Sequence, residues 1–470
     1  MRKKKAPAKR VTKASAKRSP AKKSPAKKST KRAKKAAPTT APAKGNTQPL
    51  PTTGPQFAQP IVTPDPTAFT LQHGSDTGAY KILDSQKGKL LPRPFPIAKE
   101  AEPTVTLADA IGTQGAAVTA AIQRAGQIVF HVVGDTGNTK GPKDMVLVAD
   151  KMVSDYTDID PKSVPSFCYH VGDVVYSFGE GQYYYDQFYD PFRDYPAPIF
   201  AIPGNHDGMV APNTESVTLD AFLENFCAAG EAPHRTPEAG ELVRTAQVQP
   251  AVYFTLEAPF VRILGVYSNC LEDPGIISTQ NGTYTGLTDV QLTFLATGLK
   301  RVVDEGFAGA VLIAVHHPPY VAALTGRRHG GSPAMLKEID AVCASTGFWP
   351  HAVLSGHAHN YQRFTRAKDG RETPYLVAGN GGHAVSRLTH KGSPTLRTPL
   401  AQPALSDGDD TITFENYDDQ EFGYLRVIVD PTQLRIEYHP QSDGEASKTP
   451  DDFVTVELAT RQIVHYQAVS

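Results

Sequence analysis

The sequence predicts an α/β or α+β domain with stacked layers, and two observations indicate this class. Short β-branched runs typical of buried strands recur along the chain, at Ile128–Val133, Phe167–Val171, Pro198–Ile202, Val261–Val266, Val311–Val315, Ala352–Leu354 and Tyr375–Ala378. Amphipathic helical segments lie between several of them, at Leu287–Val303 and Pro333–Ala344. With 470 residues, of which 40% are hydrophobic, the chain can bury a large core.

Residues 1–60 are predicted to form a disordered basic tail, because their Lys, Arg, Ala, Pro, Ser and Thr cannot offset the entropy of ordering. Residues 1–44 hold 18 of the 48 Lys and Arg, and the first acid is Asp65, so the rest of the chain carries a net charge of −18. The sequence Ser-Pro-Ala-Lys-Lys occurs twice in tandem, at 19–23 and 24–28. The composition resembles the Lys/Ala/Pro-rich tails of linker histones and histone-like bacterial proteins.

We expect residues 1–44 to bind nucleic acid or polyphosphate without sequence preference, by counterion release. A solubilising tail that binds nothing in particular is the alternative. Neither a hydrophobic signal core nor a run of about 18 apolar residues is present, so a cytoplasmic protein without membrane insertion is expected. The tail adds nucleoid or chromatin association as a further expectation.

Residues 61–124 are predicted to be an extension that packs on the core, with one helix over Thr104–Arg124, and residues 125–470 to be the catalytic domain. Near its end, Ser406–Glu421 contains seven acids and no base and is interpreted as a solvated loop. The alternating runs Tyr424–Val429 and Leu434–Tyr438 predict a hairpin that closes the sheet. Four widely spaced cysteines form no CxxC pair and indicate neither a zinc knuckle nor a disulfide scaffold.

Five segments of the chain combine small residues with Asp, Asn or His. Each lies at or just after the end of a predicted strand, which is where an α/β enzyme places its ligands. Taken singly, a Gly-Asp pair is usually a turn and a lone His is usually a core or surface residue. In chain order the segments are Gly134-Asp135-Thr136-Gly137, Gly172-Asp173-Val174-Val175-Tyr176, Gly204-Asn205-His206-Asp207, Ile313-Ala314-Val315-His316 and Gly356-His357-Ala358-His359.

In this order the segments resemble the motifs GDxG, GDxxY, GNH(D/E), VxxH and GHxH of the calcineurin-like metallophosphoesterase superfamily, and more narrowly of its purple acid phosphatase-like branch. The resemblance spans residues 134–359 and implies a four-layer α/β/β/α sandwich. It favours His316 over the adjacent His317 as a ligand, because the family's ligand stands two residues before a proline, as His316 does before Pro318.

The resemblance implies a two-metal site in which Asp173 bridges the ions. Asp135, Tyr176 and His359 would complete the first site, and Asn205, His316 and His357 the second. Most of the superfamily has a His at the position of Gly137. This chain lacks that His and instead has Tyr176, three residues after Asp173. A phenolate is a hard anionic donor, so Fe(III) is expected in the Tyr176 site, with Zn, Mn or Fe(II) in the other.

The implied activity is hydrolysis of phosphate monoesters, acid phosphatase-like, by attack of a metal-bound hydroxide. His206 is expected to contact the phosphate and protonate the leaving alkoxide, with Asp207 orienting it. His329 lies in Arg327-Arg328-His329, where the branch carries further phosphate-contacting histidines; a solvated loop is the alternative. The glycine-rich segment Gly379–His383 is interpreted as a tight turn without chemistry.

Two alternative functions remain open. Phosphodiester or nucleotide hydrolysis on the same fold is the closer one, because the metal ligands do not choose between ester types. A nucleic-acid-associated binding protein acting through its basic tail is the alternative from another class.

Overall fold

The computed structural model describes Phe57 and residues 90–157, 160–210, 217–229, 236–240, 242–244, 247–322, 329–390, 393–403 and 410–464. Apart from Phe57, the predicted basic tail lies outside the described residues, as do residues 61–89 of the predicted extension. Within the described ranges, no helix has both the length and the apolar composition that crossing a membrane requires.

Sixteen strands lie in the described part of the chain. They are β1 (Thr104–Thr106), β2 (Ile128–Val133), β3 (Cys168–His170), β4 (Ile199–Ala201), β5 (Phe254–Ala258), β6 (Val261–Val266), β7 (Ala310–Val315), β8 (Ala352–Ser355), β9 (Tyr361–Lys368), β10 (Arg371–Ala378), β11 (Leu400–Gln402), β12 (Thr411–Asp418), β13 (Gly423–Val429), β14 (Gln433–Pro440), β15 (Asp452–Glu457) and β16 (Gln462–Ile463).

The α-helices of the same ranges are α1 (Leu107–Ile111), α2 (Gly115–Ala125), α3 (Lys143–Ser154), α4 (Asn205–Gly208), α5 (Asp220–Phe226), α6 (Val290–Glu305) and α7 (Pro333–Thr346). The ends of the two longest follow from their sequences. Helix α6 ends at Gly306 and α7 at Gly347, both in the left-handed conformation that glycine adopts without steric cost. Pro333 begins α7, where its missing N–H costs no intrahelical bond.

The strands form two sheets. The nine-stranded sheet has the order β1-β5-β6-β7-β8-β10-β9-β12-β11, and the seven-stranded sheet has the order β16-β15-β14-β13-β2-β3-β4. Strands β6, β7, β8 and β10 run parallel to one another in the first sheet, as do β2, β3 and β4 in the second. Parallel strands end at the same edge of a sheet, and this arrangement collects the loops that follow them.

Alternation along the strands shows where the core lies. Leu312 and Ala314 of β7 belong to the same apolar cluster as Phe130 of β2, between the two sheets. The intervening Ile313 instead belongs to a cluster with α6 and α7. Because successive side chains of a strand point to opposite faces, each sheet is covered by helices on one face and by the other sheet on the second. The predicted mixed α/β fold, with two sheets and layers of helix, is confirmed.

All seven predicted strands and both predicted helices between them are present, with shifted ends in several cases. The predicted hairpin is β13–β14, in which Val429 pairs with Leu434. The single helix predicted over Thr104–Arg124 is wrong. The segment instead forms β1, parallel to β5, and then two helices, because Thr106 caps α1 and Gly112 ends it with φ +76°.

The acidic segment Ser406–Glu421 was predicted to be a solvated loop, and this is wrong for its described part. Residues Thr411–Asp418 form β12, which pairs with β9. Asp410 is 3% exposed, and both of its carboxylate oxygens accept hydrogen bonds at 2.8 Å from Arg366 of β9. A buried acid is tolerated there because a partner from a neighbouring strand compensates its charge.

Candidate metal centre

The loops after five parallel strands bring the predicted ligands together. Asp135 follows β2, Asp173 follows β3 and Asn205 follows β4 in one sheet. His316 follows β7 and His357 follows β8 in the other. All five side chains are at most 1% exposed. The centre therefore lies where the carboxyl edges of the two sheets meet.

The first group of donors surrounds the hydroxyl of Tyr176. Its Oη lies 3.0 Å from Asp135 Oδ1, 2.8 Å from Asp173 Oδ2 and 3.2 Å from His359 Nε2. Tyr176 is fully buried, and one hydroxyl proton cannot serve two carboxylate oxygens and an imidazole nitrogen at once. A cation among these four side chains would satisfy the lone pairs that remain, so the donor set fits a metal ion.

The second group surrounds the amide of Asn205. His316 Nδ1 donates to the carbonyl oxygen of Val171 at 2.9 Å, so in the neutral ring its Nε2 presents a lone pair. That Nε2 lies 3.0 Å from Asn205 Oδ1, and His357 Nδ1 lies at the same distance from the same oxygen. Asn205 Nδ2 is buried and has no hydrogen-bond partner among the described residues. An imidazole lone pair and an amide oxygen repel each other, and a cation bound between them would accept both as ligands.

Asp173 belongs to both groups. Its Oδ2 lies 2.8 Å from Tyr176 Oη and 3.4 Å from His316 Nε2, while its Oδ1 accepts the backbone N–H of His206 at 2.9 Å. Asp173, His316 and His357 each offer a ligand atom, and these atoms lie within 4.8 Å of one another. The described residues thus contain a buried His/Asp cluster that could hold a metal ion.

Two glycines make the close approach of these groups possible. A Cβ on Gly204 would stand 2.1 Å from Asp173 Oδ1. A Cβ on Gly137 would stand 2.5 Å from the carbonyl oxygen of Val174 and 3.1 Å from Tyr176 Cδ2. A side chain at position 137 would therefore clash with the backbone of Val174 and would also crowd the ring of Tyr176, so the loop requires glycine there.

Burial and neighbouring charges shift the pKa values of the side chains in the cluster. Burial raises the pKa of Tyr176 well above its ordinary value, and the carboxylates of Asp135 and Asp173 raise it further. Burial lowers the pKa of His357, as do the neighbouring His317 and His329. Burial opposes protonation of His316 as well, but Asp173 and Asp135 outweigh it and bring the pKa to about 9. Positive charge at the centre would favour the phenolate and the neutral imidazoles.

His206 and Asp207 both lie beside the cluster, but Asp207 does not orient the His206 ring as predicted. His206 Nδ1 is 2.8 Å from the carbonyl oxygen of Ser177. The Asp207 carboxylate instead accepts the backbone N–H groups of Val174, Val175 and Gly204 at 2.8–3.2 Å. The Asp207 carboxylate thereby joins the loop after β4 to the loop after β3.

His317 differs from its neighbour His316 in what it contacts. Its Nε2 lies 2.9 Å from the carbonyl oxygen of Leu271, and its Nδ1 lies 2.7 Å from Ser268 Oγ. Burial lowers its pKa to about 3. Both ring nitrogens are thus occupied away from the cluster, which supports the assignment of His316 as the ligand.

His329 is brought to the centre. Its Nδ1 lies 3.4 Å from His357 Nε2, and its ring centroid lies 4.7 Å from that of His359. Its backbone N–H donates to Asp273 Oδ2 at 3.0 Å, and Asp273 Oδ1 lies 3.6 Å from His357 Nε2. The preceding Arg327 and Arg328 lie outside the described residues. Asp273 was not predicted, because no motif surrounds it.

His383 is a second residue that the sequence analysis missed. Its ring stacks on Tyr176 with centroids 3.6 Å apart and planes 14° apart, and its Nδ1 lies 2.8 Å from the carbonyl oxygen of Gly137. The segment was interpreted as a tight turn without chemistry. A histidine directly after the glycines of a strand-ending loop was the available signal.

The central part of the chain is similar in sequence to known proteins. Residues 128–361 match the calcineurin-like phosphoesterase family. A probable inactive purple acid phosphatase of Arabidopsis thaliana is 23% identical over 302 residues, which are 60% of this chain and 42% of that relative's own length. The chain thus spans less than half of this relative.

Two solved structures are similar over most of the chain. GAP50, the anchor in the inner membrane complex of Plasmodium, is 9% identical and has a TM-score of 0.45, with 72% of this chain and 91% of that chain covered. PhoD is 12% identical and has a TM-score of 0.42, with 73% of this chain and 72% of that chain covered.

Proposed function

Because residues 128–361 form a calcineurin-like phosphoesterase domain, a family of metal-dependent phosphoric ester hydrolases, we propose that the chain hydrolyses phosphate monoesters at a binuclear metal centre. The observation that carries this proposal is the position of Asp173, whose Oδ2 contacts both Tyr176 Oη and His316 Nε2. A carboxylate shared by two donor groups is what a pair of ions about 3.5–4 Å apart requires.

Seven side chains would hold the two ions. Asp173 is shared, and the others are Asp135, Tyr176 and His359 on one side and Asn205, His316 and His357 on the other. Bound there, the metal pair would supply the Lewis acidity that activates water and neutralises charge on the phosphoryl oxygens. All seven donors are present, which favours a working centre in this chain. The aryl oxygen of Tyr176 favours Fe(III) on its side, with Zn, Mn or Fe(II) on the other.

His206 is proposed to act on the substrate. Its Nδ1 is directed at the carbonyl oxygen of Ser177, so the proton sits on that nitrogen, and Nε2 is the atom that would gain and donate a proton. Its ring packs 4.4 Å from that of Tyr176 and is 5% exposed, which fixes its direction. His206 would contact the phosphate and protonate the leaving alkoxide. Asp207 would position the loop, and His329 would add a phosphate contact.

The test compares turnover of a nitrophenyl phosphate monoester with that of the matching bis(nitrophenyl) diester, before and after removal of metal with a chelator. We expect faster turnover of the monoester, loss with the chelator and recovery when metal is restored. Preference for the diester would replace the monoesterase assignment with the phosphodiesterase one. Turnover that survives complete metal removal would contradict the metal-dependent proposal itself.

Polyanion binding by residues 1–44 is a separate proposal that rests on their 18 Lys and Arg. Removal of residues 1–44 should abolish salt-sensitive DNA binding and leave ester turnover unchanged. Equal DNA binding by the full and shortened chains would assign the tail to solubility alone.

A further inference from the structure

A mostly apolar groove of about 500 Å³ lies on the outside of the fold. One wall is the face of α2 that carries Val118, Ala121 and Ile122. The facing wall includes Tyr156 and Val164. A mostly apolar cleft of this volume is the usual form of a binding site.

The groove lies at the edge of the sheet opposite to the metal centre. Its lining includes Gln127, just before β2, Ser166, just before β3, and Pro198, just before β4. The ligands Asp135 and Asp173 follow β2 and β3 at their other ends. The groove therefore has no part in the chemistry proposed above, and it needs an explanation of its own.

Phe57 lines this groove and is 8% exposed. It is the only aromatic residue among residues 1–60, and its ring is the largest apolar side chain of that segment. Pro55 and Pro60 flank it in the sequence Pro-Gln-Phe-Ala-Gln-Pro. Prolines restrict the unbound backbone, which lowers the entropy lost when such a segment binds.

We infer that this groove is a docking site for the chain's own segment around Phe57, with the phenyl ring as its anchor. A single buried aromatic residue in an apolar pocket is the usual form of such an anchor. The groove thereby holds Phe57 to the body at the edge remote from the metal centre. The inference is independent of the proposed phosphoesterase activity.

The experiment measures the rate at which chymotrypsin cleaves the Phe57–Ala58 bond in the full chain. Ala121→Glu places a carboxylate in the groove wall, whereas Ala117→Glu places one on the same helix at a position outside the groove lining. Both alanines are exposed, so neither change removes a core contact. Mass spectrometry of the early fragments gives the rate for this bond alone.

We expect Ala121→Glu to raise the cleavage rate about ten-fold or more, because cleavage follows the population in which Phe57 has left the groove. Ala117→Glu should leave the rate within about two-fold of the unmodified chain. As a second readout, Phe57→Ala should speed hydrogen exchange of α2 amides, and Leu50→Ala should not. Full folding of each variant is checked by its thermal unfolding.

Two results would overturn the inference. Equal cleavage rates in the two Glu variants would mean that Phe57 does not occupy the groove. Protection of the Phe57–Ala58 bond that weakens on dilution would mean that the groove takes Phe57 from a second copy of the chain, and not from its own.

Discussion

Substitution of His206 by Ala separates binding from proton transfer at the proposed centre. The side chain of His206 is held by Ser177 O and by the Tyr176 ring, whereas its backbone N–H donates to Asp173 Oδ1 at 2.9 Å. Alanine keeps that backbone bond and removes the imidazole. The variant should therefore retain both metal ions and lose only what the side chain does to the substrate.

The expected loss follows from the fixed direction of the ring. A positioned general acid contributes about 10²–10⁴-fold in rate, which corresponds to about 3–5 kcal/mol of activation free energy. His206 is buried and bonded at its Nδ1, so its Nε2 needs little reorganisation before it donates a proton. We expect a loss in kcat of about 10³-fold for an alkyl phosphate, within that range.

The assay uses two substrates that differ in the leaving group. A nitrophenolate leaves without protonation, so the loss for a nitrophenyl phosphate should be much smaller than the loss for an alkyl phosphate. Metal content of each preparation is measured in parallel. Equal losses on the two substrates would refute the role as an acid and leave His206 as a phosphate contact, and a loss of metal would show that it supports the centre.

Three further substitutions and one matched control test the ligands. Tyr176→Phe should bleach the colour that a tyrosinate-to-Fe(III) charge transfer gives the purified protein; a colourless, fully metallated and active enzyme would contradict the ferric assignment. Asp173→Asn should remove nearly all activity and lower the occupancy of both metals, and loss of one metal only would show that Asp173 does not bridge. Metal analysis of His316→Ala should show loss of the second metal, whereas the matched His317→Ala should keep both. The reverse outcome would assign the ligand to His317.

The central strands and the ligand loops could be predicted from the sequence because their signals are local. A run such as Ile128–Val133 is apolar except for His131, and its strand is buried on both faces. The acid-rich β12 carries no such signal. Its neighbour Asp410 is buried because Arg366, 44 residues earlier in the chain, lies beside it, and no local pattern shows that pairing.

The ligand loops were predictable, but the residues that surround them were not. Asp273 reaches His357 and His329 across long stretches of chain, and its own sequence context resembles no motif. His383 was assigned to a turn because its glycines are turn residues. Its stacking on Tyr176 depends on how closely that turn approaches the loop of Gly137, which is a property of the assembled sheets.

Four of the proposed ligands adopt backbone conformations that suit glycine. Asp135, Asp173, His357 and His359 have φ values of 55°, 55°, 68° and 25°. Such conformations cost a side chain of order 1 kcal/mol or more, so the fold alone would favour glycine at these positions. In a lineage that had lost metal binding, substitution of these residues by Gly or Asn would increase the free energy of unfolding. Carboxylates and imidazoles kept at these four positions would therefore distinguish relatives still selected for the chemistry from those that retain only the fold.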